Sequence, residues 1–337
     1  MDSYIEKGIL EDLSDYRDKL VSDGTVLENV AEAMKTDGKT YQIPANVTLP
    51  VFYGTEDAVN RLESLESVES YLEEHPDGKV VGAAAKEQLA YLLFAVNYTQ
   101  LWQEDGRISQ EKIARILDTA EKLYENNPSE DLEEAWNQYY RQLYSSGNTV
   151  TPFDGVGMDE LYTQNDIAGV NAVTGISSLG MMCDIVKQQE GMAIQDVNGY
   201  FIPKNSMGIN ASSEKKDLAQ EFISTVLGSE VQESDYGEGM PVRTESLEKQ
   251  GELSEQADGI TQAVSYADGT VHSFGNPSAQ EVDSIVELVK KADTPLILDL
   301  NVRKAFLDCT QQYFGGGVSA EEAAKSMGEE MDLYLSE

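Results

Sequence analysis

The sequence predicts an α/β fold in two lobes. Three observations carry this: a series of capped amphipathic helices, short strand-like segments lying between them, and a length of 337 residues, more than one hydrophobic core usually serves. Among the helices, Ser109 precedes Ile113, Ile116, Leu117, Ala120, Leu123 and Tyr124 at helical spacing, and Asn126, Asn127 and Pro128 end the run. Ser278 with Glu281 makes a capping box ahead of Val282, Ile285, Val286 and Val289, and Pro295 follows. Ser319 with Glu322 repeats the device ahead of Ala323, Met327, Met331 and Leu335, and Gly315 to Gly317 separate this last helix from the one before.

Strand character lies in Lys39 to Tyr53, Asp166 to Gly175 and Gly199 to Asn210. Helices outnumber strands. In alternations of this kind ligands commonly sit in clefts at strand ends or between domains. The longest uninterrupted apolar run, Ala90 to Val96, falls far short of the ~20 residues a bilayer-spanning helix needs. Met1, Asp2, Ser3 and Tyr4 offer no basic stretch, apolar core or cleavage site, so no export signal is expected in this chain.

Charge narrows the partners. Lys and Arg number 24 against 61 Asp and Glu, a formal charge of -37. Nucleic acid is excluded as a partner, because affinity for phosphate backbones rests on basic patches that release counterions. A strongly like-charged surface keeps copies apart, and a soluble monomer is expected. Cys183 and Cys309 are too few for a disulfide scaffold and lack zinc-site spacing; Cys309 falls in an apolar helical pattern and is expected to pack as a small hydrophobe.

Catalytic patterns are missing. Ser-His-Asp and Cys-His chemistry needs a histidine against a nucleophile, and the two histidines, His75 and His272, lie in turn-like and loop-like stretches. No metalloprotease, hydrolase-elbow, dinucleotide or phosphate-loop string occurs, and the calcium loop pattern is absent, so neither metal nor cofactor is expected. A glycosidase needs only two carboxyl groups across a cleft, and so many acidic residues leave that alternative open. Glu73 and Glu74, Glu133 and Glu134, and Glu329 and Glu330 read as solvated helix faces.

One stretch says more than these negatives. From Gly208 to Arg243 the chain reads GINASSEKKDLAQEFISTVLGSEVQESDYGEGMPVR: Gly208 and Ile209 end a strand, Ser212 and Ser213 offer a small-residue cap, Ala219 to Ile223 open a helix, Ser229 and Gln232 suggest a further capping box, and Gly239 to Val242 close on a loop. This passage resembles the family 1 extracellular solute-binding proteins, the group that includes maltose-binding protein. Tyr4 to Tyr16, Gly38 to Pro44 and Tyr313 to Glu337 resemble further parts of the same family, in its order.

The resemblance implies a two-lobe periplasmic-binding-protein-like fold with an interlobe hinge, lacking the N-terminal portion of lobe one. Lobe one is expected at 1–47 and 207–268, lobe two at 54–205 and 275–337, with crossovers near 43–53, 203–208 and 266–274. It implies hinge closure on a small solute, a carbohydrate, for delivery to ABC transporter permease subunits, by a lipoprotein anchored on the cell surface in its intact form. A sensor that kept the fold, and the carboxylate-dependent hydrolase, are the alternatives; a binding protein that leaves its ligand unchanged is favoured over an enzyme.

Sugar sites pair aromatic faces with polar side chains that replace the hydrogen bonds of water. Of the 17 Tyr, 8 Phe and 2 Trp, Tyr91, Phe94, Tyr98 and Trp102 lie on one apolar helix-like run and read as packing; Trp136, Tyr139 and Tyr140 fit another helix stripe. Five residues are expected at the ligand. Asn46 follows Pro44 in the first crossover, Tyr200 stands beside Gly199 in the strand leading to the return crossover, and Tyr236 lies in the loop DYGEGMPVR, whose glycines break any helical period. Met240 and Arg243 neighbour it.

Overall fold

In the computed structural model, described over residues 4–5, 7–140, 151–157, 160–234, 238–256, 262–265 and 271–335, the chain alternates helices with short strands. Its elements begin with α1 (Ser14–Ser22), α2 (Glu28–Ala33), β1 (Lys35–Thr36), β2 (Lys39–Thr40), the long strand β3 (Asn46–Thr55), α3 (Glu56–Asn60) and α4 (Leu65–Glu74). There follow α5 (Lys86–Val96), α6 (Gln110–Asn126), α7 (Glu130–Ala135), β4 (Gly169–Val173), α8 (Gly180–Gln188), β5 (Met192–Asp196) and β6 (Tyr200–Lys204). The remainder is α9 (Lys216–Val226), α10 (Ser229–Gln232), β7 (Met240–Pro241), α11 (Thr244–Glu248), α12 (Gln250–Gln256), β8 (Gln262–Ser265), β9 (Val271–Phe274), α13 (Ala279–Lys291), β10 (Thr294–Pro295), α14 (Leu300–Phe314) and α15 (Ala320–Leu335). Among the described residues no helix is long and apolar enough to cross a membrane.

The chain forms two compact units. One comprises Met1–Val51, Ala172–Lys187 and Ile194–Ile297; the other comprises Phe52–Asn171, Gln188–Ala193 and Leu298–Glu337. Strands β3, β4 and β5 each begin in one unit and end in the other.

The first unit is organised on β3. Its opening residues pair antiparallel with β6 on one side, Asn46 opposite Lys204 and Thr48 opposite Ile202, and with β7 on the other, Asn46 opposite Pro241 and Val47 opposite Met240. β6 in turn pairs parallel with β10, Tyr200 opposite Thr294. β3 is buried along nearly its whole length, with Val47, Leu49 and Val51 fully inaccessible, which is why it reads as a continuous apolar run where a half-exposed strand would alternate. The capping box of α13 forms as its sequence predicts, with Ser278 and Glu281 satisfying each other's backbone. α8 carries Cys183 on its buried side, and Gly180 of the same helix packs so closely on Phe274 and Gly275 that a β-carbon there would lie 2.8 Å from the Gly275 carbonyl.

The second unit is mainly helical. α5 is buried from Leu89 to Val96, and α6 and α14 pack against it; α15 lies on α6 and α14. Phe94 and Phe306 stack with ring centres 4.1 Å apart, and Tyr91 extends the stack. Ser109 caps α6 by accepting the Lys112 N–H at 3.3 Å, and Ser319 and Glu322 exchange bonds before α15. Tyr313 on α14 donates its hydroxyl to Asp118 at 2.9 Å and Glu121 at 2.5 Å on α6.

Three expectations need correction. Tyr98 and Trp102 leave the helix that holds Tyr91 and Phe94: α5 stops at Val96, Tyr98 sits in a 3-10 turn, and Trp102 pairs with Ile108 in an isolated bridge. The aromatic chain survives edge to face, Phe94 to Tyr98 to Trp102. Ser212 and Ser213 do not cap α9, which starts from Lys215 with no side-chain cap; both serines fold back into turns with Asn210 and Lys215. Gln232 makes no capping box with Ser229, because its amide is engaged elsewhere.

Candidate functional site

The Gln232 amide is the centre of the arrangement around Asn46. With 4% of its surface exposed, Gln232 donates from Nε2 to the Ala45 carbonyl at 2.9 Å, and its Oε1 accepts the Val242 N–H at 3.0 Å and the Arg243 N–H at 3.3 Å. A single side chain thereby ties the residue before Asn46 to the two residues after Pro241. Lys204 completes the clamp by accepting the Ala45 N–H at its carbonyl, 3.1 Å away.

Gly239 explains why the loop before β7 is glycine-rich. Its φ of 121° lies in the region L side chains rarely adopt, and a β-carbon there would stand 2.8 Å from the Val47 carbonyl and 3.1 Å from the Asn46 β-carbon. The loop can rest on β3 only with glycine at this place. Its own N–H donates to the Thr174 carbonyl at 2.8 Å, at the end of β4.

Asn46, Met240 and Arg243 are thus brought together. Asn46 is 6% exposed and Met240 fully buried. Arg243 takes the N-cap position of α11; its Nη1 donates to Thr25 Oγ1 at 3.4 Å, its Nη2 lies 3.9 Å from Glu245, and its Nε is buried without a hydrogen-bond partner. Tyr200 stands apart, on β6 where that strand meets β10, and is 2% exposed. Tyr236 lies outside the described residues.

In the second unit, Trp136 donates its indole N–H to Glu87 Oε2 at 2.7 Å, and the two side chains are 1% and 5% exposed. Trp136 opens a π-helical turn, Trp136–Tyr140, directly after α7, and such turns recur at functional places in helical structure. Glu133 of α7 accepts the Lys86 N–H at 3.0 Å, and the Lys86 ammonium stands 5.0 Å above the Tyr124 ring. Sequence reading placed Trp136 only on a helix stripe. The signal that could have found its partner, an acidic residue early in an apolar helix, is Glu87 itself.

Nucleophiles are poorly placed for chemistry. Burial pushes the thiols of Cys183 and Cys309 up to about 12, far from a reactive thiolate. Among the described residues no group of three or more His, Cys, Asp and Glu side chains could hold a metal ion.

Strands that continue from one compact unit into the next, with helices around them, are the build of the binding-protein class of α/β folds. The chain belongs to the bacterial extracellular solute-binding protein family, whose model matches residues 1–262. No curated protein matches the sequence. Among solved structures, a sugar transporter from Rhizobium etli in an open conformation is 14% identical, covering 98% of this chain and 81% of its own, with a TM-score of 0.52. A Streptococcus pneumoniae solute-binding protein in complex with the blood group A-trisaccharide is 17% identical, covering 97% and 80%, with a TM-score of 0.48. A de novo designed cysteine esterase reaches a TM-score of 0.52 at 14% identity, covering 97% and 79%, so likeness of fold alone does not carry function. Family membership does: its members are extracellular binding proteins and not enzymes.

Proposed function

We propose that this protein captures a mono- or oligosaccharide outside the cell and delivers it, unaltered, to the permease subunits of an ABC importer. The observation that carries the reading is the family match over 1–262, which includes every element of the Gln232 clamp. The similar Streptococcus pneumoniae protein is described with a trisaccharide and the Rhizobium etli protein as a sugar transporter, and both support sugar as the ligand class.

In this reading the two units serve as the two lobes, and β3, β4 and β5 are the hinge. Asn46 and Arg243 present amide and guanidinium to sugar hydroxyls, and Tyr236 offers an aromatic face. Met240 and Tyr200, both buried, back these contacts. The protein acts as a monomer held at the cell surface by a lipid anchor, its charge of -37 keeping copies apart.

A thermal-shift panel of mono- and oligosaccharides tests the ligand class, since a ligand bound only by the folded state raises its stability by mass action. Chromatography of the recovered sugar checks that it is unchanged. Asn46→Ala and Tyr236→Ala are expected to weaken binding by roughly 1 to 3 kcal/mol while leaving the unliganded melting temperature nearly unmoved. Stabilisation by peptides or polyamines, with none by sugars, overturns the proposal.

A further inference from the structure

Two buried polar atoms in the first unit face one small cavity. Arg17 on α1 is 7% exposed: its Nη1 donates to Glu32 Oε1 at 2.5 Å and its Nη2 lies 2.9 Å from Asp18 Oδ1, but its Nε is buried without a hydrogen-bond partner. Thr40 on β2 is 1% exposed. Its carbonyl accepts the Leu13 N–H at 2.7 Å and its N–H donates to Ser14 Oγ at 3.2 Å, yet Oγ1 is buried and without a partner. Both residues line a cavity walled by Leu20, Val26, Ala31, Met34, Ile43 and Pro44, with Gln42 beside them and about 10 Å³ of room for the centre of a water-sized molecule.

We propose that this cavity is a binding site for one structural water molecule, which accepts from Arg17 Nε and bonds to Thr40 Oγ1. The volume is at the threshold for a single water, and buried waters typically make two to four bonds to groups the protein leaves unpaired. Gln42 brings an amide, donor and acceptor both, to the same lining. Other occupants fit worse. The Arg17 charge is already matched by Glu32 and Asp18, which leaves nothing to hold an anion, and the lining has no carboxylate to hold a cation. An apolar guest would leave Nε and Oγ1 unpaired in a low-dielectric surround.

The water has a structural task. It links α1 to the segment Thr40–Pro44, which the Ile43–Met207 bridge also pins and which leads directly into Ala45 and Asn46. Exchange of this one molecule is therefore coupled to the fixing of β3 at its first residue.

Thr40→Val separates the hydrated site from a dry one by sign. If the hydroxyl is solvated by the water, the isosteric valine strips a partner from it and lowers the melting temperature, by about 2 °C or more. In a dry cavity the same change removes an unpaired hydroxyl and raises it, which overturns the proposal. A high-resolution crystal structure of the unaltered protein gives the direct reading: a density peak at about 3 Å from both Arg17 Nε and Thr40 Oγ1 is expected. No peak, or a peak that becomes an anomalous scatterer when crystals are grown in bromide, excludes water as the occupant.

Discussion

Gln232 donates its side-chain N–H to the carbonyl of Ala45, a residue 187 positions earlier in the chain, at 2.9 Å. The bond is buried, and the other end of the same amide receives Val242 and Arg243. Replacing Gln232 with Leu keeps the volume and strands a carbonyl and an N–H in the interior. The expected loss is about 2 to 4 kcal/mol, from desolvation without compensation. Urea titration checks it, and a loss under about 0.5 kcal/mol, the size of an ordinary surface change, refutes the clamp.

Trp136→Phe removes the indole donor to Glu87 and is expected to destabilise by about 1.5 to 3 kcal/mol, the range of a hydrogen bond to a charged group. Glu87→Gln keeps an acceptor there and should cost less. The chain has two tryptophans, so a Trp102→Phe background leaves Trp136 as the sole indole emitter. A red shift of its emission on Glu87→Ala, with retained helicity, would report water reaching the ring.

Glu281 gives a pH dependence. Burial pushes its carboxyl up, but bonds from the Ser278 hydroxyl and N–H and from Lys187 outweigh burial and hold it below its ordinary value of 4.5. A depressed folded value means stability that is complete above 4.5 and is lost as pH falls through the folded value. Ser278→Ala should therefore cost about 1 kcal/mol near neutrality, and its cost should shrink in acid as the carboxylate it helps to hold becomes protonated. Denaturation curves at neutral and acidic pH test this, and a cost that is flat or grows on acidification contradicts it.

Leu218 and Phe222, one turn apart on α9, are 59% and 63% exposed, while Ile223 of the same helix is buried and Ser224 meets the Tyr16 hydroxyl at 2.7 Å. Because Phe222 contributes little to the core, Phe222→Ser is expected to change stability by no more than about 0.5 kcal/mol. It should raise the concentration at which light scattering first reports association, since it shrinks an exposed apolar patch. A fall of the melting temperature by many degrees would mean that the ring is packed.

The parts of the fold legible in the sequence are those whose physics is local. The caps at Ser109, Ser278 and Ser319 act within one turn, and the stripes of α6 and α13 record one buried face each, so both can be read from spacing. Gln232 shows the limit. Its spacing from Ser229 suits a capping box, but burial against β3 gives its amide better partners, and no short window contains Ala45. Glu87 and Trp136, 49 positions apart, escape notice for the same reason. Asn46, Met240 and Arg243 were picked out as a crossover residue and two loop neighbours; the antiparallel register of β3 with β7 and the Gln232 bonds are what make them adjacent.

Cys183 lies in one compact unit and Cys309 in the other, 3% and 1% exposed. Burial keeps both as inert thiols, so a thiol-reactive dye can label either one only when its surroundings open. The chain thus carries one opening clock per unit, and with Cys183→Ala or Cys309→Ala silencing one clock, labelling rates time the opening of each unit separately.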